Sequence, residues 1–277
     1  MKSKIIQMSD HAYKILTSRK KPSLHSSYKK AINLSFNDQL LTLQPKFSPL
    51  SPISLITDFS VDELSSLLCE PTTSISIHNS AIFLDRHEIT FKDAKIFHTE
   101  LFSLDHFHCL VLKQELQNLI KKAPSQGFVT IFQPSQSLDL MFEIAQKHIH
   151  AIFTTLKNNH FQDAVSNLTN LIGLGIGLTP SGDDFLCGFL AGLIFMNLWD
   201  TPFSYALRQA ILCNLSRTNE ISSAFLSCAL HRQFGTAVHM LRDFPKYSEI
   251  LPQFLAIGHS SGLDTLCGIH FCFELFL

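Results

Sequence analysis

No Cys-x-x-Cys pair occurs in this chain, although it holds seven cysteines, at 69, 109, 187, 213, 228, 267 and 272. An odd, scattered set excludes a disulfide framework and a zinc knuckle, and is read as small apolar core residues in a reducing compartment. Excess charge is also lacking: 22 Lys and Arg against 23 Asp and Glu leave a formal net charge of −1. No global basic field therefore recruits nucleic acid or an anionic membrane. The opening MKSKIIQMSDHAYKIL has lysines but no apolar run of the roughly 7–15 residues that a secretory signal needs. The uncharged run FLCGFLAGLIFMNLW, Phe185 to Trp199, falls short of the roughly 17–25 residues of a spanning helix. It reads as a buried core helix of a cytoplasmic protein without a membrane partner.

Two glycine motifs are missing as well. The spacing around Gly173, Gly175 and Gly177 is G-x-G-x-G, not the dinucleotide fingerprint, and a helical pattern precedes it instead of a strand. There is no G-K-[ST] to end a P-loop, and the string GHSSG, Gly258 to Gly262, is not read as a nucleophile elbow.

What is present divides into two patterns. YKKAINLSF, QLLTLQP, TSISIHNSAIFLDRHEITF, KIFHTELFSL and FHCLVLK are short, partly alternating runs rich in Ile, Phe and Thr, as strands require. PKFSPLSPIS, Pro45 to Ser54, suits a surface connection. LVLKQELQNLIKKA is expected to turn helical, and after about residue 134 apolar residues recur at helical spacing. The expectation is an α+β chain: a β-rich N-terminal domain over 1–134 and a mostly helical domain over 135–277.

The helical domain contains the same motif twice. SGDDFLCGF, Ser181 to Phe189, aligns with SGLDTLCGI, Ser261 to Ile269, in the pattern S-G-x-D-x-L-C-G. Each copy has the grammar of a helix start, with Thr179 as N-cap before Pro180 in the first, and Ser260 or Ser261 as cap in the second. Asp184 and Asp264 fall in the opening turns, where the helix dipole favours a carboxylate. Gly188 and Gly268 sit on the same face and let a second backbone come close. The two helices are therefore expected to pack about a pseudo-twofold axis with both starts opening on one pocket. Free N–H groups of Gly175 to Gly182 and Ser260 to Gly262 would suit an anion there.

Other readings stay open at this point. Asp183 and Asp184 serve equally as dipole-complementing residues with the glycines there for packing. Asp183, Asp184, Asp264 and His259 are oxygen and nitrogen ligands that could converge in the pocket, and hard carboxylates near glycine turns suit Mg²⁺, as in helical hydrolases of ADP-ribosyl bonds. No cofactor is firmly implied. In RTNEISSAFLSCA, Ser222 and Ser223 lie on an apolar helix that could face the pocket, and Arg217 could meet an anion through its planar fork.

The segment GLGIGLTPSGDDFLCGFLAG resembles the signature G-x-G-x-G-L-T-P-S-x-D-D of a family long catalogued as a domain of unknown function. Its best-known member is a subunit of the oxamate carbamoyltransferase of anaerobic allantoin degradation. The resemblance extends to YKKAINLSFNDQLLTLQP, to EISSAFLSCALHRQFGTAVHML and to LAIGHSSGLDTLCG, in order along nearly the whole chain. Ile176 stands where the family pattern has proline. The best-known member has His at the position of Gly182, so no catalytic role is expected for Gly182 itself.

The resemblance implies chemistry on a carbamoyl group, with oxalurate and phosphate giving oxamate and carbamoyl phosphate. On that basis Asp184 and Asp264 orient the carbamoyl nitrogen, and Thr179, Ser181, His259 and Ser261 hydrogen-bond the oxygens. The amides around Gly175, Gly177, Gly182, Ser260 and Gly262 take the anion. Expected partners are the small anionic carbamoyl substrate, phosphate, and other carbamoyltransferase subunits or a second copy of the chain. A non-catalytic anion-binding or scaffold subunit is the alternative within the same resemblance.

Overall fold

The computed structural model describes residues 2–18, 20–67, 72–133, 139–242 and 247–277. Cys69, and residues 134–138 around the expected domain boundary, lie outside the described residues. The chain falls into two units, 1–99 and 100–277. With 51% helix and 18% strand it belongs to the α+β class, strand-rich first and helical second.

In the first unit the elements are β1 (Lys2–Ser9), α1 (Asp10–Thr17), β2 (Ser23–Tyr28), β3 (Ala31–Phe36), β4 (Gln39–Gln44) and β5 (Ser54–Thr57). They continue with α2 (Val61–Ser66), β6 (Ile75–His78), β7 (Ala81–Leu84), β8 (His87–Thr90) and β9 (Lys95–Phe97). The strands form one sheet in the order β2-β3-β4-β5-β1-β8-β7-β6, with β9 also on β1. β1 runs antiparallel to β5; along its other edge β8 pairs in parallel with Lys2–Lys4 and β9 with Gln7–Ser9. The β6–β7 connection is the two residues Asn79 and Ser80, both at positive φ (52° and 57°), the turn that matches the twist of a hairpin. Pro45 to Ser54 is less of a surface connection than its prolines suggest. Leu50, Pro52 and Ile53 are buried, and the Ser9 hydroxyl donates to the Pro52 carbonyl.

The second unit comprises α3 (His106–Lys122), α4 (Val129–Phe132), α5 (Leu140–Lys157), α6 (Phe161–Thr169), α7 (Ser181–Phe195) and α8 (Pro202–Cys213). It ends with α9 (Glu220–Leu230), α10 (Thr236–Met240), α11 (Tyr247–Leu255) and α12 (Ser261–Phe276). The strand expected at FHCLVLK is the first turns of α3. Asp105 caps it by accepting from the His108 N–H at 2.9 Å, and Cys109, Leu112, Leu116 and Leu119 bury one helical face. That helix and α4 share a core with α12, which is why the chain divides after Thr99 and not at the 134/135 boundary expected from the pattern.

Every residue of α7 is buried, so the apolar run is a core helix. No helix among the described residues is long and apolar enough to cross a membrane. The six described cysteines are free and all but Cys213 are buried. Burial pushes the Cys109 thiol up to about 11 and Cys228 to about 12, which leaves them inert packing residues.

Candidate functional site

The repeated motif folds as a matched pair of helices. A Cβ on Gly188 would overlap the Thr265 carbonyl, and a Cβ on Gly268 would overlap the Phe185 carbonyl. Phe185 and Thr265 are themselves equivalent positions of the repeat, so this exchange is what a pseudo-twofold relation requires. At their starts Thr179 Oγ1 and Ser261 Oγ lie 2.7 Å apart, and roughly three turns further on Gly192 meets Cys272. α7 and α12 thus run in the same direction with their N-termini side by side. The next glycines repeat the rule: Gly182 sits against the Leu171 carbonyl and Gly262 against the Phe254 carbonyl.

Parallel helices bring two positive dipole ends together, each equivalent to roughly half a charge. Asp184 and Asp264 occupy that place. Asp264 is fully buried and Asp184 is 8% exposed. Asp264 Oδ1 accepts from the Phe128 N–H at 2.6 Å, while Asp264 Oδ2 and Asp184 Oδ2 are buried without a hydrogen-bond partner. Burial, and then the like charge of Asp264, hold the Asp184 carboxyl well above the ordinary carboxylate range, against the pull of the Ser261 and Thr179 hydroxyls. Burial also pushes Asp264 up to about 6, opposed by the Phe128 amide and the Ser181 and Ser260 hydroxyls. Two helix ends supply roughly one positive charge against two carboxylates. The helix ends therefore offset only part of the charge that two ionised carboxylates would carry.

The four hydroxyls expected here, Thr179, Ser181, Ser260 and Ser261, do converge on the carboxylates. They do not cap the helices: Pro180 and Ser260 are the N-cap residues, and neither side chain makes a capping bond. Two of the amides expected to hold an anion are engaged within the chain. The Gly182 N–H donates to the Leu174 carbonyl at 2.8 Å and the Gly262 N–H to the Ile257 carbonyl at 3.2 Å. Gly175, at φ +140°, lies against the amide of Ser181, and Gly177 and His259 are exposed on the turns beyond the helix starts.

Asp183 serves a different place. Adjacent helical residues point about 100° apart, so two neighbouring aspartates cannot both face one pocket. Asp183 Oδ1 accepts from the Gly173 N–H at 2.9 Å; its Oδ2 accepts from the Thr218 hydroxyl at 2.5 Å and the Ser222 hydroxyl at 2.7 Å. Burial raises its pKa, against those three bonds and the charge of Arg217. Ser222 and Arg217 thus support Asp183 and not the carboxylate pair; the Arg217 guanidinium donates to the Thr169 carbonyl at 3.2 Å. Asp183 therefore does not join Asp184 and Asp264 in a three-carboxylate cluster. Among the described residues no group of three or more His, Cys, Asp or Glu side chains could hold a metal ion. Asp183→Ala would leave three donors without their acceptor, and is expected to destabilise the protein by about 3 kcal/mol. Thermal melting checks this; an unshifted melting temperature would contradict it.

One contributor was not foreseen. The turn PSQGF between α3 and α4 delivers the Phe128 amide to Asp264, and Gly127, at φ +55°, is where a Cβ would strike that carboxylate. The local signal, a glycine in a turn, is too common to single it out.

Fold and site together define a two-unit α+β protein whose helical half carries a buried carboxylate pair at two abutting helix starts. Residues 171–273 match the family described as oxamate carbamoyltransferase subunit AllH, and residues 4–96 match the AllH family N-terminal domain. The chain belongs to this family. No solved structure matches it.

Proposed function

We propose that the chain acts as a subunit of a carbamoyltransferase and that the pocket between α7 and α12 holds the carbamoyl end of a small carbamoyl acid such as oxalurate. The observation that carries this reading is the pair of buried, unpartnered oxygens Asp184 Oδ2 and Asp264 Oδ2. A terminal carbamoyl nitrogen has two N–H donors, one for each oxygen, and binding it relieves the cost of leaving buried acceptors unpaired. Of the hydroxyls of Thr179, Ser181, Ser260 and Ser261, one or two turn from the carboxylates to donate to the carbamoyl oxygen, where negative charge develops as its carbon becomes tetrahedral.

In the reaction, a phosphate oxygen attacks the carbamoyl carbon. The bond from that carbon to the oxamate nitrogen breaks, and the nitrogen leaves with the proton that hydrogen phosphate gives up. The products are carbamoyl phosphate and oxamate, a step suited to nitrogen recovery from allantoin.

The family description supports the class of reaction. The engagement of Asp183 with Gly173, Thr218 and Ser222 disfavours the three-carboxylate magnesium hydrolase. The test is the enzyme assembled with its other subunits, treated with a chelator and supplied with oxalurate and phosphate. Carbamoyl phosphate and oxamate are expected in equal amounts. A folded, assembled complex that forms neither would overturn the reading.

A further inference from the structure

The pseudo-twofold site is broken at one place. In each copy the amide of the second motif residue returns to a carbonyl of the preceding turn: Gly182 to Leu174, and Gly262 to Ile257. The first link spans eight positions (182 − 174) and the second five (262 − 257). The three additional residues of the first link project from the rim as Ile176, Gly177 and Leu178. Ile176 is 90% exposed and Leu178 48%. A Cβ on Gly177, at φ +101°, would meet nothing within 4 Å, so space is open beside the tip of the loop. Scattered exposed apolar residues are ordinary. Here two of them stand on the longer of the two links, next to Thr179, whose hydroxyl lies 2.7 Å from that of Ser261 at the helix starts.

Electrostatics gives the second observation. Asp264, Asp183 and the Ser261 and Thr179 hydroxyls act on Asp184, and the Phe128 amide and the Ser181 and Ser260 hydroxyls act on Asp264; no Lys, Arg or His is named among them. The Arg217 guanidinium acts on Asp183. Two amides at the helix starts are spent on the chain's own carbonyls. If the pocket takes the carbamoyl group, the carboxylate of the acid and the phosphate must lie just outside it, and the groups named as acting on the pair include no cation to receive them.

We propose that the rim loop, residues 173–179, is the docking surface for another subunit of the carbamoyltransferase, one that presents an apolar recess for Ile176 and Leu178 bordered by Arg or Lys. Those cations complete the site by holding the phosphate and the substrate carboxylate against the Asp184–Asp264 pair. The inference rests on the reading of that pair as the carbamoyl site. It assigns the two halves of one active site to two chains: neutral N–H recognition here, anion recognition in the partner.

The experiment is assembly of the full-length chain with the other subunits of the same enzyme, using wild type, Ile176→Asp/Leu178→Asp and Leu140→Asp. Leu140 is 71% exposed at the start of α5 and serves as the control. The double variant is expected to melt like wild type yet lose at least about 100-fold in assembly affinity, while the control assembles normally. Inorganic phosphate, titrated calorimetrically, is expected to bind the assembled enzyme but neither the isolated chain nor the double variant mixed with the other subunits.

Normal assembly of the double variant would overturn the proposal. So would phosphate binding to the isolated chain with the affinity of the complex, failure of wild type to assemble, or self-association of the chain through this loop. Asp264→Asn separates the two readings, since it is expected to assemble normally. If assembly depends on the loop but the wild-type complex does not convert oxalurate, the docking surface stands and the proposed reaction falls.

Discussion

Asp264→Asn is expected to reduce kcat/KM of the assembled enzyme by on the order of 10²–10³-fold or more, the scale of losing one aligned polar group at a reacting centre. The substitution keeps the shape of the side chain and an oxygen to accept the Phe128 amide, which reaches Asp264 Oδ1 at 2.6 Å. The other atom becomes an NH₂ donor. A donor in that position faces the N–H of a carbamoyl group instead of accepting it.

The same variant is expected to fold, and its stability identifies the carboxylate independently of activity. The pKa of Asp264 is about 6 in the folded protein, above its ordinary 3.8. A carboxyl raised on folding contributes stability that is fully present below the unfolded value and is lost as pH rises through the folded one. Wild type should therefore lose stability relative to Asp264→Asn between about pH 4 and pH 6, by up to about 3 kcal/mol. Melting temperatures of the two proteins across that range measure the difference. A difference that is independent of pH would mean that the carboxyl is not held protonated by its surroundings.

Gly268→Val is expected to have the largest effect on folding. The backbone of α7 passes so close that a Cβ would overlap the Phe185 carbonyl, which is backbone and has no side-chain freedom with which to yield. The helices would have to separate along the most buried surface of the unit. Overpacking of a rigid contact costs about 1–3 kcal/mol and sometimes more, and a displaced helix pair belongs at the upper end. A loss of about 3 kcal/mol corresponds to roughly 6–12 °C in melting temperature for a unit of this size. Gly188→Val, its pseudo-equivalent against the Thr265 carbonyl, is expected to match it. Gly177→Val at the open loop tip has no such overlap and carries only the backbone cost of its positive φ, about 1–3 kcal/mol. A melting temperature for Gly268→Val close to that of wild type would contradict the close parallel packing of α7 and α12.

The central pair of helices was legible because its information is local and stated twice. Two copies of S-G-x-D-x-L-C-G fix where the helices start, which face is small enough for close approach, and which carboxylate lies on that face. The 100° step between Asp183 and Asp184 parts the two carboxylates, against the expectation that both could serve one site, because Asp183 finds partners of its own. Those partners, Gly173, Thr218 and Ser222, come from two further segments brought in by the tertiary fold.

The Phe128 amide could not be read in advance, because it belongs to a turn 136 residues before Asp264 and any residue type supplies the same N–H. The start of α3 was hidden for another reason. FHCLVLK has the composition of a strand, and only Asp105 as N-cap and the burial of every third or fourth residue behind it decide for helix. Hydroxyls at 179, 260 and 261 looked like caps because Ser and Thr usually are. Capping would use the hydroxyl oxygen to accept from a backbone N–H; beside two buried carboxylates these hydroxyls are turned to donate to them instead.

The measurement that tests the account most directly is a calorimetric titration of oxalurate into the chelator-treated, assembled enzyme, with wild type and Asp264→Asn side by side. Saturable binding by wild type that disappears in the variant, with both proteins folded and assembled, is the predicted result. Equal binding by the two would mean that the carbamoyl group does not sit between Asp184 and Asp264, and would contradict the account at its centre.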